Sequence, residues 1–225
     1  MTANEPLTTQ RLLLCEGVED AQFFRALIRI RNLGAFDVRW VKDVGGTAGI
    51  SGFKDALIGS VALSNFRKIK HVCLIADCDN HYGEAFKNIK KQIVEANSDQ
   101  TVEARFPVPD APYKLANGSP LLTVLMVPSA NKKGALESLI IEAMRDLKFF
   151  QKALTCAAEA LTCSGADKWQ QQKVDKATMI TTLAISNTED PAINLTRLWG
   201  RQPDLIPLTH KAFDDIAKAL SALKT

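Results

Sequence analysis

The sequence predicts an α/β protein with a mainly parallel, Rossmann-like sheet, helices on both faces and a helical C-terminal extension. Two observations predict it. Short all-apolar runs, Leu12-Leu13-Leu14-Cys15 and Val72-Cys73-Leu74-Ile75-Ala76, have the composition of strands covered on both faces. Between and after them stand amphipathic stretches of helical period, so the chain reads β-α-β-α-β-α with connections of βαβ length. A third observation concerns chemistry: each apolar run ends in acidic residues, Glu16-Gly17-Val18-Glu19-Asp20 and Asp77-Cys78-Asp79.

Residues 11–15 form the first expected strand. The helix expected over 19–33 carries Phe23, Phe24, Leu27, Ile28 and Ile30 on one broad face, with Arg25, Arg29 and Asn32 opposite, and stops at Gly34. A second strand over 37–42 leads into the glycine-rich turn Gly45–Gly52, where Ser51 suits the N-cap of a helix over 53–63. The third strand, 71–76, precedes the second acidic cluster and a helix over 83–96. Extended pieces follow at 102–107, expected as the fourth strand, and at 121–127, with Asn117-Gly118 as a turn between them.

From Ala135 the pattern is helical only. Leu136, Leu139, Ile140, Ala143, Met144 and Leu147 form one stripe, and helices are expected over 150–161, 174–185 and 209–223. The stretch 187–207, rich in Pro, Asn and Asp, reads as a connection. The expected division is a 1–148 α/β core and a 149–225 helical extension packed on it.

At 225 residues, 46% hydrophobic and 24% charged, the composition is that of an ordinary globular protein. No run approaches the roughly 18 apolar residues of a membrane span, and the N-terminus lacks a basic-then-apolar leader. A cytoplasmic protein without membrane contact is expected. Cys15, Cys73, Cys78, Cys156 and Cys163 form no Cys-x-x-Cys pair, so neither a disulfide framework nor a zinc cluster is expected. The net charge of +3 is spread evenly and neither indicates nor excludes a nucleic-acid partner.

Parallel strands bring their C-terminal ends to one edge, where open α/β sheets bind ligands. Carboxylates gathered there repel one another and call for a cation. Glu16, Asp20, Asp77 and Asp79 offer only hard oxygen donors, which suit Mg²⁺ or Mn²⁺ rather than zinc. The helix dipole alone also favours acidic residues at these positions. Glu137, opening a later helix, has the same two readings. Lys132, Lys133, Lys173 and Lys176 are candidates for offsetting phosphate charge, and Gly45-Gly46 for letting a phosphate approach the backbone; solvated lysines and a simple turn are the plainer alternatives. His81 is a candidate proton shuttle or a surface histidine, and Trp169 and Trp199 read as packing residues.

A strand followed by Glu16-Gly17-x-x-Asp20 and a helix, then a strand followed by Asp77-x-Asp79, resembles the Toprim domain. That domain is shared by topoisomerases, bacterial primases, recombination proteins, ribosomal-RNA maturases and the overcoming-lysogenization-defect (OLD) nucleases. The resemblance implies a Toprim-type fold, general acid–base chemistry for Glu16, and Mg²⁺ held by Asp77 and Asp79, with Asp20 an extra ligand as in the OLD-like branch. Asp43-Val44-Gly45-Gly46, Gly134-Ala135-Leu136-Glu137 and the helical tail are further similar to small standalone prokaryotic Toprim-like proteins without assigned function. Departures narrow the reading. The only tyrosines are Tyr82 and Tyr113, no P-loop motif occurs, and zinc-binding and helicase-interaction modules are missing. The expectation is a metal-dependent phosphodiester hydrolase acting on DNA or RNA; the alternative is a non-catalytic module binding nucleic acid or a partner protein. A nucleotide-binding or phosphotransfer enzyme on a related fold is a third reading.

Overall fold

Four apolar segments pair side by side in the computed structural model, which describes residues 5–78, 81–100, 103–129 and 132–223. They are β1 (Arg11–Cys15), β2 (Asp37–Trp40), β3 (His71–Asp77) and β4 (Leu121–Val127), all parallel in the order β2-β1-β3-β4. Alternate side chains of each strand point to opposite faces, so each strand feeds two cores. Leu13, Cys15, Cys73, Ile75, Leu125 and Val127 pack on one face with α1 (Val18–Ile30) and α4 (Leu136–Asp146). Leu12, Leu14, Val72, Leu74, Val124 and Met126 pack on the other with α2 (Phe53–Val61) and α3 (Tyr82–Asn97).

The strand order reverses at β1. The chain steps from β1 to β2 on one side, then crosses back to place β3 on the other, which puts α1 and α2 on opposite faces. The crevice at such a reversal lies between the C-terminal ends of β1 and β3. Glu16 follows the one and Asp77 ends the other.

The remaining helices are α5 (Lys148–Cys163), α6 (Gln171–Ser186), α7 (Leu195–Arg201) and α8 (Asp214–Ser221). They bury their apolar faces in the same core as α1. The Phe23 ring lies 5.3 Å from that of Trp199 and 5.4 Å from that of Phe213. Arg31, just past α1, donates to the carbonyls of Leu208 and His210 and pairs with Asp214 at 2.9 Å. No helix among the described residues is long and apolar enough to cross a membrane.

Four expectations need correction. Ser51 lies inside a 3-10 turn, Ile50–Gly52, and the N-cap of α2 is Gly52. Residues 103–107 form no strand; β4 is the 121–127 segment, and Val102 lies outside the described residues. The amide of Asn97 takes the place of a strand partner, accepting from Phe106 N and donating to Phe106 O, both at 2.7 Å. The second strand stops at Trp40, where Val41–Val44 tighten into a 3-10 turn, with Asp43 Oδ2 accepting from Trp40 N at 3.3 Å. The 187–207 connection contains α7, whose Leu195, Leu198 and Trp199 are buried.

Candidate functional site

A cavity of about 530 Å³ opens at the strand-order reversal. The β1–α1 junction supplies Glu16, Gly17, Glu19 and Asp20; β3 supplies Asp77, α4 supplies Leu136 and Glu137, and α6 supplies Lys176. Trp40, the Ala48-Gly49 turn and Asn194–Thr196 complete the wall. Gly49 N donates to Glu16 O at 3.1 Å, fastening the glycine-rich turn to the end of β1.

Local backbone chemistry explains how these carboxylates are held. Gly17 is the N-cap of α1 and Asp20 its third residue, so the Asp20 carboxylate reaches back to accept a hydrogen bond from the Gly17 backbone. The approach is close: a Cβ on residue 17 would stand 2.7 Å from Asp20 Oδ2. Leu136 N, at the first turn of α4, donates to Asp77 Oδ1 at 3.1 Å. Helix N-terminal N–H groups have no partner within their own helix, so a carboxylate from the neighbouring strand serves as one. Ser138 Oγ donates to Asp175 Oδ2 at 2.5 Å, pinning α6 across the start of α4. Lys176, the next residue, reaches Glu19 Oε2 at 3.1 Å and Glu137 Oε1 at 3.7 Å.

The electrostatics are those of crowded acids with too little positive charge. Burial, followed by the charges of Glu137 and Glu19, pushes the Asp20 carboxyl up to about 7, against the opposing pull of Gly17 and Lys176. Burial likewise raises Glu137 despite Lys176. Burial works against the charge on Lys176, but Glu19 and Glu137 outweigh it and hold its pKa above the ordinary lysine value.

The donor set consists of carboxylate oxygens, the type that Mg²⁺ and Mn²⁺ take, and a cation would offset the Glu137 and Glu19 charges that add to the effect of burial on Asp20. On that chemistry the residues fit a hard divalent ion. Among the described residues, no three His, Cys, Asp or Glu side chains already stand as a metal-holding group. Asp79, a metal ligand on the sequence reading, lies outside the described residues.

Of the sequence candidates, Glu16, Asp20, Asp77, Glu137 and Lys176 thus meet in one cavity. Others stand elsewhere. Gly45 and Gly46 are not in its wall: Gly45 takes φ +92° to end the 3-10 turn, and Gly46 packs so tightly that a Cβ would lie 2.4 Å from Gly52 O. Their conformation answers to the turn. Lys132 pairs with Glu142 at 3.8 Å, and Lys133 and Lys173 are exposed away from the cavity wall. Exposed His81 lines a separate cavity with Glu84 and Asn88. Cys78 Sγ donates to Ser129 O. Trp199 is a core residue, as expected, whereas Trp169 is 44% exposed.

Sequence reasoning did not single out Glu19, Trp40 or Asn194–Thr196. Glu19 was visible as part of the acidic cluster, and Leu195, Leu198 and Trp199 at helical spacing were a signal for α7. No local pattern places that helix beside Glu16.

A family model described as "Protein of unknown function (DUF3226)" matches residues 10–220. No curated protein and no solved structure matches the chain.

Proposed function

The chain belongs to this family of unknown function, DUF3226, and from that premise we propose that it is a Mg²⁺- or Mn²⁺-dependent phosphodiester hydrolase of Toprim type acting on DNA or RNA. One observation carries the reading. Glu16 and Asp77, from adjacent parallel strands, share a cavity with Asp20 and Glu137 at the point where the strand order reverses.

Asp77, with Asp79, Asp20 and Glu137, would hold the ion. When bound, the ion supplies positive charge to polarise the phosphate and to make a water more acidic. Glu16 is the residue to take or return the proton at the reacting oxygen, because it stands at the strand end facing the same cavity. Lys176 adds the one lysine charge that the described residues bring to the cavity wall, on a helix that the α4 junction holds in place. The glycine-rich turn fixes the Glu16 backbone through Gly49, and Glu16 lines the cavity.

The test is cleavage of end-labelled single- and double-stranded DNA and RNA with Mg²⁺ or Mn²⁺. E16Q should lose about 100-fold or more, the usual worth of a positioned acid–base group, and D77N should lose activity together with metal affinity. Equal residual cleavage in wild type and both variants sinks the reading.

A second reading, a Toprim-fold module binding nucleic acid or a partner protein without catalysis, is favoured by Lys176. Its ammonium pairs with both Glu19 and Glu137, so the cavity has a cation of its own. Calorimetric titration separates the two: the absence of Mn²⁺ binding at millimolar concentration supports the module.

A further inference from the structure

The ammonium of Lys176 stands where a cation is called for, and it comes from the helical extension rather than from the strands that carry the acids. Its two carboxylate partners belong to different elements, Glu19 to the first turn of α1 and Glu137 to the first turn of α4. Lys176 therefore clamps together two helix N-termini that both present acidic groups to the cavity. Its side chain is half exposed, so its route out to solvent is open, whereas that of Glu137 is only 13% exposed. The helix beneath it is less free: Asp175 is held by Ser138 and by Gln171. A displacement of the ammonium would therefore fall to the Lys176 side chain rather than to the backbone of α6.

We propose that Lys176 is the built-in counter-cation of this cavity, and that a divalent ion taking Glu137 as a ligand competes there with its ammonium and releases it. This rests on the metal reading above and adds a regulation to it. A lysine ammonium and a divalent ion compete for the Glu137 carboxylate, since each is stabilised by the same negative charge. With the ion absent, Lys176 keeps α1 and α4 from repelling; with the ion present, it is released at the mouth of the cavity, where a phosphodiester would approach. Loading is then an exchange of one cation for another, and the threshold metal concentration is set by the strength of the lysine clamp.

Two measurements on the full chain test this. The first is calorimetric titration with Mn²⁺ of wild type, K176M, K176R and K173M. K176M should bind about fivefold more tightly, the size expected from removing a partly exposed ion pair. K176R, which retains the charge, should stay near wild type, and so should K173M, which removes an exposed lysine of the same helix that does not line the cavity. The second uses wild type alone, so it is independent of whether any variant folds: acetylation of Lys176 by a small anhydride, read by mass spectrometry with and without saturating Mn²⁺. Release of the ammonium should accelerate acetylation about fivefold. Equal affinity in wild type and K176M, or Lys176 equally protected with and without Mn²⁺, overturns the exchange while leaving metal binding intact. Absence of Mn²⁺ binding in all four proteins overturns the metal reading and the exchange together.

Discussion

Asp77 Oδ1 accepts a hydrogen bond from Leu136 N at 3.1 Å, joining the last residue of β3 to the first turn of α4. This one contact gives the carboxylate a structural task beside any chemical one. It also places Glu137, the next residue, at the same cavity. Two acids separated by 60 positions in the numbering become neighbours because one caps the helix that carries the other.

The two tasks of Asp77 separate by substitution. D77A removes the acceptor and should cost about 1 kcal/mol of stability, the usual worth of a helix N-terminal cap. D77N retains an oxygen that can accept from Leu136 N and gives up only the charge, a loss of a few tenths of a kcal/mol, on the order of the dipole effect. Urea unfolding without metal should therefore rank wild type close to D77N and above D77A. Mn²⁺ titration should rank D77N with D77A, both well below wild type. Equal stability of the two variants would remove the capping role.

Much of this arrangement was legible in the chain because it rests on local patterns. The apolar runs 11–15, 71–76 and 121–127 contain too little polar surface to face water, and each is a strand. Glu16, Asp20 and Asp77 were legible because strand ends in a parallel sheet share an edge. The residues at 103–107 misled for a physical reason: a side-chain amide, here that of Asn97, can take both backbone groups of Phe106 in place of a strand partner. The meeting of Lys176 with Glu19 spans 157 positions and depends on how α6 packs on α4, which helical period alone does not determine.

Gly17→Ala isolates the close approach at the start of α1. The backbone at residue 17 has φ −127°, which alanine accepts without strain, so any cost comes from the new Cβ against Asp20 Oδ2. The carboxylate must move and weaken its hydrogen bond to Gly17. The expected loss is about 1 kcal/mol, that of one hydrogen bond. Because that bond lowers the Asp20 pKa, its weakening should push Asp20 further up. Chemical-shift titration of the Asp20 carboxyl checks this; an unchanged or lower pKa in G17A contradicts it.

Asp20 also fixes a pH dependence of the metal-free protein. Its folded pKa of about 7 lies above the unfolded value of about 3.9. Between these values the folded state retains a proton that the unfolded chain has released, so the contribution of Asp20 to stability is full below about pH 4 and is lost as pH rises through about 7. D20N cannot ionise, and its amide oxygen can still accept from Gly17. Melting temperatures in chelator should bring D20N and wild type together near about pH 4 and show D20N gaining on wild type toward about pH 8. Parallel curves would count against a raised Asp20.

Phe23 tests whether the extension and the sheet unfold together. Its ring meets Phe24 at 5.1 Å on its own helix, and Trp199 and Phe213 from the C-terminal part of the chain. F23A opens a cavity among three aromatic rings and should cost about 3–5 kcal/mol, the range for a buried phenylalanine. Trp199 is buried, with Nε1 donating to Ile206 O at 3.0 Å, so in a W40F/W169F background its fluorescence reports the extension while far-UV circular dichroism reports the whole chain. The two probes should give coincident urea transitions in that background, and with F23A added both should shift to lower urea together. A Trp199 transition that precedes the dichroism change would mean that α7 and α8 can leave while the sheet and its acidic edge remain, and the cavity would then lose its Asn194–Thr196 wall before the strands that carry Glu16 and Asp77 come apart.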